Sequence, residues 1–305
     1  MSDWLLDQQG LAIVRRAYAR QMLAVAGVRN DRLERVFATI RREDFLGAEP
    51  WRIVPWPPGP ALPVNDPVCI YQDVVLALVP ERGVNNGSPS LHAKMLNDLA
   101  VEPNQHIAHI GAGVGYYTAM LAELTGHTGR VTAIEFDASL AERARVNLAA
   151  WRNVKVISGD GGSALSESVD RIYVNFGATA PAANWIEHLK PGGKLLFALG
   201  VPHPYVRAKF PRHAAHGAAF LIERTANGLA ARWLYPAYYV CAEGALAGDA
   251  NAELALYQAF ERGGFEFVRS LRWNEATDPA RCWYWTPRWA LSFDALDGEQ
   301  SDLRA

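Results

Sequence analysis

The amino-acid sequence predicts an α/β fold of Rossmann-like type, with a mostly parallel central sheet and helices on both faces. Between residues 106 and 199, short apolar segments alternate with amphipathic ones, which is typical of parallel strands joined by helices. The predicted strands are 106–110, 130–135, 154–157, 170–175 and 193–199, and the predicted helices are 115–125, 138–150 and 181–189. A helical N-terminal head precedes this region, and an appended α+β segment follows it.

A glycine turn follows the first predicted strand of this region. Gly111, Gly113 and Gly115 occupy alternate positions, and glycine lets the backbone adopt positive φ and approach a ligand closely. The helix that follows directs its unpaired N–H groups and positive dipole end toward this turn. Because residue 116 is tyrosine, the sequence does not match the G-x-G-x-x-G motif of dinucleotide-binding proteins.

Acidic residues follow at the ends of the next two strands. Glu135 lies 20 residues after Gly115, and a carboxylate at this position can accept both hydroxyls of a ribose. Asp160 ends the third strand and can accept from an adenine amino group, although an Asp-Gly pair alone is more typical of a turn. Together with the glycine turn, these acids favour S-adenosylmethionine over NAD or a purely structural turn. The predicted cofactor-binding residues are Gly87, His92, Gly111, Gly113, Gly115, Glu135, Asp160 and Gly161.

Composition and charge narrow the class of protein. The 305 residues are 50% hydrophobic and 20% charged with a net charge of −2, so no basic excess indicates nucleic acid or an anionic membrane as a partner. The three cysteines are far apart and odd in number, which favours a reducing compartment over a disulfide framework. His213 and His216 are predicted to lie in a loop, and no carboxylate or cysteine completes a metal site. Without an apparent signal peptide or membrane-spanning run, we expect a cytoplasmic protein.

The flanking regions are predicted from periodicity and from residues that break helices and strands. Residues 11–26 form an amphipathic helix, and Asp31 with Glu34 forms a capping box that opens a second helix. The proline-rich residues 50–67 predict a long ordered loop or arm. Further predictions are a hairpin of strands 218–224 and 230–240, a helix at 250–262, strands at 265–273 and 281–293, and a polar tail from Asp294. The predicted domains are 1–80 (head and proline-rich loop), 81–245 (cofactor-binding domain) and 246–305 (an extension packed on the core).

Several separate stretches, in order over roughly residues 15–245, resemble the protein-L-isoaspartate O-methyltransferases, which have the class I methyltransferase fold. These stretches are Gln21-Met22-Leu23, Asp31-Arg32-Leu33, Arg42-Glu43-Asp44-Phe45, Tyr71-x-Asp73-x-x-Leu76, Pro89-x-x-x-Ala93, Ile110 to Tyr116, Ile134-Glu135, Asn153-Val154-x-Val156, Gly159-Asp160-Gly161 and Leu189-x-x-Gly192-Gly193-x-Leu195. The cofactor motifs are shared by many methyltransferases, whereas the head and the Tyr71 to Ala93 region are more particular to this family.

The resemblance implies methyl transfer from S-adenosylmethionine to the free α-carboxylate of an isoaspartyl residue in a damaged protein or peptide. A carboxylate is already ionised at neutral pH, so this reaction needs no general base. Two other hypotheses stay open because fold alone does not choose between functions. One is a methyltransferase of the same fold acting on another peptide or a small molecule. The other is a cofactor-binding module that recognises protein partners without turnover.

Four features depart from the family pattern. Counted from Pro89, the family's carboxylate-binding serine falls at Gly87, and a serine follows one position later at Ser88. We predict that Ser88 takes over as the catalytic residue; the alternative is that it only shapes the turn before Pro89. The loop from Val79 to Asn86 is longer than the family pattern, His109 replaces an acid before the glycine turn, and residues 246–305 have no counterpart.

Overall fold

The computed structural model describes residues 6–55, 59–204 and 213–297. The described residues up to Ala164 form one unit, and those from Leu165 onward form a second unit. The predicted domain boundaries near residues 80 and 245 stay a prediction. No helix in these three ranges is long and apolar enough to cross a bilayer.

The first unit contains a helical head and two separate sheets. Its helices are α1 (Gln8–Ala26), α2 (Asp31–Thr39), α3 (Pro67–Ile70), α4 (Pro89–Leu99), α5 (Tyr116–Thr125) and α6 (Ala138–Asn147). Its strands are β1 (Trp51–Val54), β2 (Leu62–Val64), β3 (Val75–Val79), β4 (Val84–Asn85), β5 (His106–Ile110), β6 (Arg130–Glu135) and β7 (Val154–Ser158). Strands β2, β1, β3 and β4 pair antiparallel in that order, whereas β5, β6 and β7 are parallel.

The two head helices begin at side-chain caps. The Asp7 carboxylate accepts from the backbone N–H of Gly10 at 2.7 Å, so α1 starts three residues before the predicted helix. The Asn30 side chain accepts from the backbone N–H of Leu33 at 3.1 Å. Asn30 therefore caps α2, and the predicted capping role of Asp31 is wrong by one residue.

The proline-rich stretch contains two strands, so the predicted loop over residues 50–67 is wrong in part. Strand β1 lies between β2 and β3, with Pro50 and Pro55 just outside its ends. Pro63 lies within β2, which is at the edge of this sheet. Proline lacks an N–H donor, and strand ends and edge strands tolerate that loss. Residues 56–58 of the stretch lie outside the described residues.

Arg42 connects the head to the turn that precedes β3. Its side chain is fully buried, and Nη1 donates to the backbone carbonyl oxygens of Ile70 and, at 3.2 Å, of Gln72. Nη2 donates to the carbonyl oxygen of Val74 at 2.8 Å. The guanidinium lies 5.9 Å from the centroid of the Tyr18 ring on α1. These contacts fix the backbone of residues 70–74 against the head, because each carbonyl receives a buried donor.

Parallel strands β5, β6 and β7 bring their carboxyl ends to one edge, as the sequence predicted. Every residue of β5 is buried, which is typical of a parallel strand covered on both faces. Ile110 at the end of β5 pairs with Ile134 on β6, and Glu135 pairs with Ser158 at the end of β7. Ligands of such sheets bind at this edge.

The second unit is built on a mixed sheet with the strand order β13-β14-β12-β11-β10-β9-β8. Its elements are β8 (Val169–Ala178), α7 (Ala183–His188), β9 (Leu189–Pro202), β10 (Ala214–Thr225), β11 (Gly228–Pro236), α8 (Ala250–Arg262), β12 (Ser270–Trp273), β13 (Cys282–Trp285) and β14 (Trp289–Ser292). Strands β8 and β9 are parallel, and the other neighbouring strands are antiparallel.

Three predictions for the second unit need correction. His216 lies in β10, where it pairs with Val201, so the predicted loop at this histidine is wrong. The segment 265–273 is a short 3-10 turn followed by β12, and 281–293 is the hairpin of β13 and β14. Alternating apolar residues marked these segments as extended, but the turns inside them lack the Asn-Gly signal of the β10–β11 hairpin. Of the predicted polar tail, residues 298–305 lie outside the described residues.

Aromatic residues pack the C-terminal segment onto the rest of the second unit. Trp283 is 3% exposed, and its ring centroid lies 5.1 Å from that of Phe260 on α8 and 6.2 Å from that of Phe220 on β10. The indole Nε1 donates to the carbonyl oxygen of Ala259 at 3.2 Å. Aromatic pairs at such separations stabilise the packing beyond the area that they bury. Residues after 245 are therefore an integral part of this unit.

Candidate active site

The glycine turn at the carboxyl end of β5 exposes backbone atoms that no side chain covers at its three glycines. Gly111, Gly113 and Gly115 have φ values of +78°, +57° and +94°, a region that side chains disfavour. The N–H of Gly111 donates to the carbonyl oxygen of Ile134 at 2.9 Å, which ties the turn to β6. At Gly115 a Cβ atom would lie 2.7 Å from Cδ1 of Leu148, so close packing also requires glycine there.

Glu135 is held by two backbone donors at the end of β6. Its Oε2 accepts from the N–H of Gly113 at 2.7 Å, and its Oε1 accepts from the N–H of Asp137 at 2.9 Å. The residue is buried, and burial raises the pKa of its carboxyl group while the two N–H donors oppose that rise. One N–H donor leaves further lone pairs on each oxygen, so the carboxylate is oriented and can still accept hydroxyl groups.

Asp160 lies in the turn after β7, on the same edge as Glu135. The N–H of Gly159 donates to the carbonyl oxygen of Glu135 at 2.9 Å, which brings the ends of β6 and β7 together. Asp160 Oδ1 accepts from the N–H of Gly162 at 2.7 Å, so this carboxylate also shapes its own turn. Gly161 is buried beside it. The structure therefore places Asp160 and Gly161 beside Glu135, as predicted from strand order.

Ser88 caps helix α4 and bonds to an acid that the sequence analysis did not select. Its Oγ accepts from the N–H of Leu91 at 3.4 Å and donates to Oδ1 of Asp73 at 2.8 Å. The N–H of Ser90 donates to the same Oδ1 at 3.1 Å, and the Ser90 hydroxyl donates to Oδ2. The Asp73 carboxylate therefore occupies the N-terminus of α4, where helix N–H groups favour an anion. The signals for this cluster were the Tyr71-x-Asp73 motif and the two serines flanking Pro89.

Gly87, which directly precedes Ser88, packs against His92 on α4. Gly87 has a φ of +72°, and a Cβ atom there would lie 2.4 Å from Nε2 of His92. The His92 ring is fully buried and stacks on Tyr117, with 3.6 Å between ring centroids. Burial holds the pKa of His92 well below its usual range, so this imidazole is neutral at physiological pH. The structure thus gives Gly87 and His92 packing roles, and their predicted contact with a cofactor stays a prediction.

Comparison with known proteins connects these residues to a family. The family model described as Protein-L-isoaspartate(D-aspartate) O-methyltransferase matches residues 19–214, which is more than half of the chain. The chain belongs to this family. The matched residues include most of the head, the segment that contains Gly87 and Ser88, and the carboxyl edge of the parallel strands with the glycine turn, Glu135 and Asp160. The predicted family resemblance is therefore confirmed.

Two archaeal members of the family show how much of the chain is shared. The chain is 38% identical over 137 residues to the protein-L-isoaspartate O-methyltransferase of Aeropyrum pernix, a match that covers 43% of this chain and 52% of that protein. It is 29% identical over 224 residues to the enzyme of the same name from Hyperthermus butylicus, covering 68% of this chain and 86% of that protein. The chain thus spans about half the length of the Aeropyrum pernix relative.

A solved structure of a protein-L-isoaspartate O-methyltransferase has the same fold. It superposes with a TM-score of 0.61 and 22% sequence identity, covering 85% of this chain and 72% of that chain. At this identity the likeness concerns the fold alone. It confirms the predicted Rossmann-like α/β class.

The segment between Val79 and Asn86 contacts the residues that follow Glu135. Arg82 in this segment pairs with Asp137, and Asp137 follows Glu135 by two residues. The Asp137 carboxylate also caps α6 by accepting from the N–H of Ser139 at 2.8 Å. The Ser139 hydroxyl is the main cause that holds the pKa of Asp137 low, at about 2, and the N–H of Leu140, Arg82 and the N–H of Ser139 add to it against the opposing effect of burial. Sequence analysis missed this ion pair because the partners are 55 residues apart, although Asp137 before a helix is a typical N-cap.

No metal site accompanies these groups. Among residues 6–55, 59–204 and 213–297, no cluster of three or more His, Cys, Asp or Glu side chains is placed to hold a metal ion. The His216 ring instead lies next to Glu261, with 2.8 Å between Nε2 and Oε1.

The close packing at Gly87 generates a test. We expect Gly87→Ser to lower the free energy of unfolding by about 3 kcal/mol, because the new side chain adds backbone strain and overlaps buried His92. Gly27→Ser is the matched control: Gly27 has a φ of +68° but no atom within 4 Å of its Cβ position. That control should lose only about 1 kcal/mol, from backbone strain alone. Urea denaturation measures both; equal losses would show that the His92 contact does not restrict residue 87.

Proposed function

We propose that the protein transfers a methyl group from S-adenosylmethionine to the free α-carboxylate of an L-isoaspartyl residue in a damaged protein or peptide. One observation carries the proposal: in a member of this family, a buried acid and a glycine turn are bonded together at the carboxyl edge of the parallel strands. The bonded pair supports binding of the methyl donor, and membership of the family supports protein repair over the other functions that the fold serves.

The residues at this edge fit the proposed methyl donor. Glu135 is oriented by two backbone donors and retains lone pairs for the two ribose hydroxyls. Gly111 and Gly113 lack Cβ atoms where the ligand's polar groups approach the turn. Asp160 and Gly161 lie beside Glu135 and would hold the adenine ring. When bound, the cofactor supplies an activated methyl group on a sulfonium.

The proposed reaction requires little acid–base catalysis from the protein. The free carboxylate of an isoaspartyl residue has a pKa of about 4 and is ionised at neutral pH. One carboxylate oxygen forms the new O–CH3 bond as the C–S bond breaks, which leaves a methyl ester and a neutral thioether. The protein's contribution is to hold the oxygen in line with the methyl group and to keep water away. No proton has to be removed in this step.

The hydrogen bonds that Ser88 already makes restrict its role in the proposed methyl transfer. Its proton is donated to Asp73, and the N–H groups of Ser90 and Leu91 are also occupied. For Ser88 to donate to a substrate carboxylate, its hydroxyl has to turn away from Asp73. The predicted catalytic role of Ser88 therefore stays a prediction, and its capping role is the one that the geometry supports.

The same observation favours a second candidate function. Two carboxylates close together repel each other, so Asp73 disfavours a substrate carboxylate at the N-terminus of α4. A methyltransferase of the same fold that acts on another peptide group or on a small molecule avoids this repulsion. The peptide assay below distinguishes the two candidates.

The first prediction concerns the cofactor. Glu135→Ala should weaken S-adenosylmethionine binding by about 1–3 kcal/mol, the range for losing hydrogen bonds to a charged group. Glu142→Ala is the control, because Glu142 is an exposed acid on α6 that, among the residues the structure describes, forms an ion pair with Arg145 alone. Isothermal titration calorimetry measures both affinities. If folded Glu135→Ala protein binds the cofactor as tightly as the wild type, Glu135 does not hold it.

The second prediction concerns the acceptor. Wild-type protein should methylate a synthetic peptide containing one L-isoaspartyl residue, and the kcat/KM should be at least about tenfold lower for the twin with normal aspartate, whose carboxylate is displaced by one methylene. Formation of S-adenosylhomocysteine measures the rate. Equal rates on the twins, or no turnover of either peptide by protein that binds the cofactor, would refute isoaspartyl repair in favour of the second candidate.

A further inference from the structure

A cavity of about 330 Å3 lies in the first unit, between residues 46–50, the antiparallel sheet and α6. Trp51, Leu76 and Leu78 contribute an apolar wall. The lining also contains two cations, Arg52 and Arg143, and no acidic residue. A cavity lined by two arginines and a few apolar side chains is suited to a ligand that carries a negative charge on a short carbon chain.

Arg143 on α6 is a cation without a counter-charge. Its Nη2 donates to the carbonyl oxygen of Leu46 at 3.1 Å, and within the described ranges no carboxylate lies within 4.0 Å of it. Two residues away, exposed Arg145 does pair with Glu142, at 2.8 Å. The Arg143 side chain is half-buried, and burial lowers its pKa. A guanidinium stays charged at physiological pH, so an anion in the cavity would offset the cost of partly burying this charge.

Strand β3 connects this cavity to both parts of the candidate active site. The N–H of Leu76 donates to Oδ1 of Asn86 at 2.8 Å, and the N–H of Asn86 donates back to the carbonyl oxygen of Leu76 at 3.0 Å. Asn86 directly precedes Gly87 and Ser88. Further along the strand, Cδ1 of Leu78 lies 3.5 Å from the position of a Cβ on Gly113. The wall of the cavity is therefore in contact with the Ser88 loop and with the glycine turn.

The contacts of β3 with the Ser88 and Gly113 regions make the neighbouring positions of a peptide substrate the ones to compare with this cavity. Each residue of an extended chain advances about 3.3–3.6 Å, so a side chain two or three positions from the methylated residue lies about 7–10 Å away along the peptide. Glutamate and aspartate have the required chemistry, since their methylene groups match the apolar wall and their carboxylates match the forked donors of arginine.

We propose that this cavity is a specificity subsite for an acidic side chain of the peptide substrate, within three residues of the isoaspartyl residue. Arg143 binds the carboxylate, Arg52 adds positive charge at the border, and Trp51 and Leu78 contact the methylene groups. The inference rests on the proposed function, because it takes a peptide as the ligand. It assigns selectivity for peptide sequence to residues outside the cofactor edge.

The test compares isoaspartyl peptides that carry glutamate or glutamine at each of the three positions on either side. At one position or more, wild-type protein should bind the glutamate peptide about tenfold more tightly than its glutamine twin, as expected for hydrogen bonds to a charged group. Arg143→Met should remove this preference, and Arg143→Lys should retain part of it. Arg145→Met should leave the preference unchanged. Calorimetry supplies the dissociation constants, and circular dichroism checks the fold of each variant.

Binding is measured apart from turnover, so the two proposals fail separately. A glutamate preference that Arg143→Met removes supports the subsite even if no peptide is methylated. Equal binding of the twins at all six positions overturns the subsite even if methylation is fast, and so does a preference that Arg143→Met and Arg145→Met reduce alike. If Arg143→Met does not fold, Arg52→Met decides the result: Arg52 is exposed, has no ion-pair partner among the described residues, and its loss should reduce the preference.

Discussion

The buried guanidinium of Arg42 is the interaction on which the arrangement of the first unit depends. It donates to the carbonyl oxygens of Ile70, Gln72 and Val74 and lies against the Tyr18 ring of the head. The turn that it fixes carries Asp73, and Asp73 in turn holds the start of α4. The head therefore determines where the turn that carries Asp73 lies, since losing Arg42 would remove the guanidinium donor of all three carbonyls.

A carboxylate at the N-terminus of α4 has two consequences for the proposed chemistry. Asp73 organises the serines on either side of Pro89, which gives the loop a defined shape before any substrate binds. It also occupies the hydrogen-bond donors that a substrate carboxylate would otherwise use. By contrast, Glu135 is oriented by N–H groups that leave it free to accept further bonds. Glu135 can therefore accept hydrogen bonds from the cofactor as it stands. At the N-terminus of α4, a substrate carboxylate requires either that the bonds to Asp73 rearrange or that it binds through a different contact.

Local sequence patterns predicted the position of Glu135 on the edge of the parallel strands but not the contact of Ser88 with Asp73, for a physical reason. Alternating strands and helices, together with an acid at a strand end, placed Glu135 correctly because parallel strands align their carboxyl ends. The bond from Ser88 to Asp73 joins residues 15 positions apart, and Asp73 lies in the turn that Arg42 holds. No periodicity encodes such a contact. Likewise, β1 was missed because proline content was interpreted as a property of the whole stretch, although prolines at strand ends leave the ladder intact.

The central claim, methyl transfer to a carboxylate oxygen, is tested most directly by the stability of the product. An isoaspartyl peptide is incubated with the protein and S-adenosylmethionine labelled in its methyl group, and the product is then treated with mild base. A methyl ester hydrolyses under these conditions, whereas a methyl group on nitrogen or carbon does not. The account predicts that the transferred label is released as methanol and that the original peptide mass is restored. Label that stays on the peptide after base treatment would contradict it.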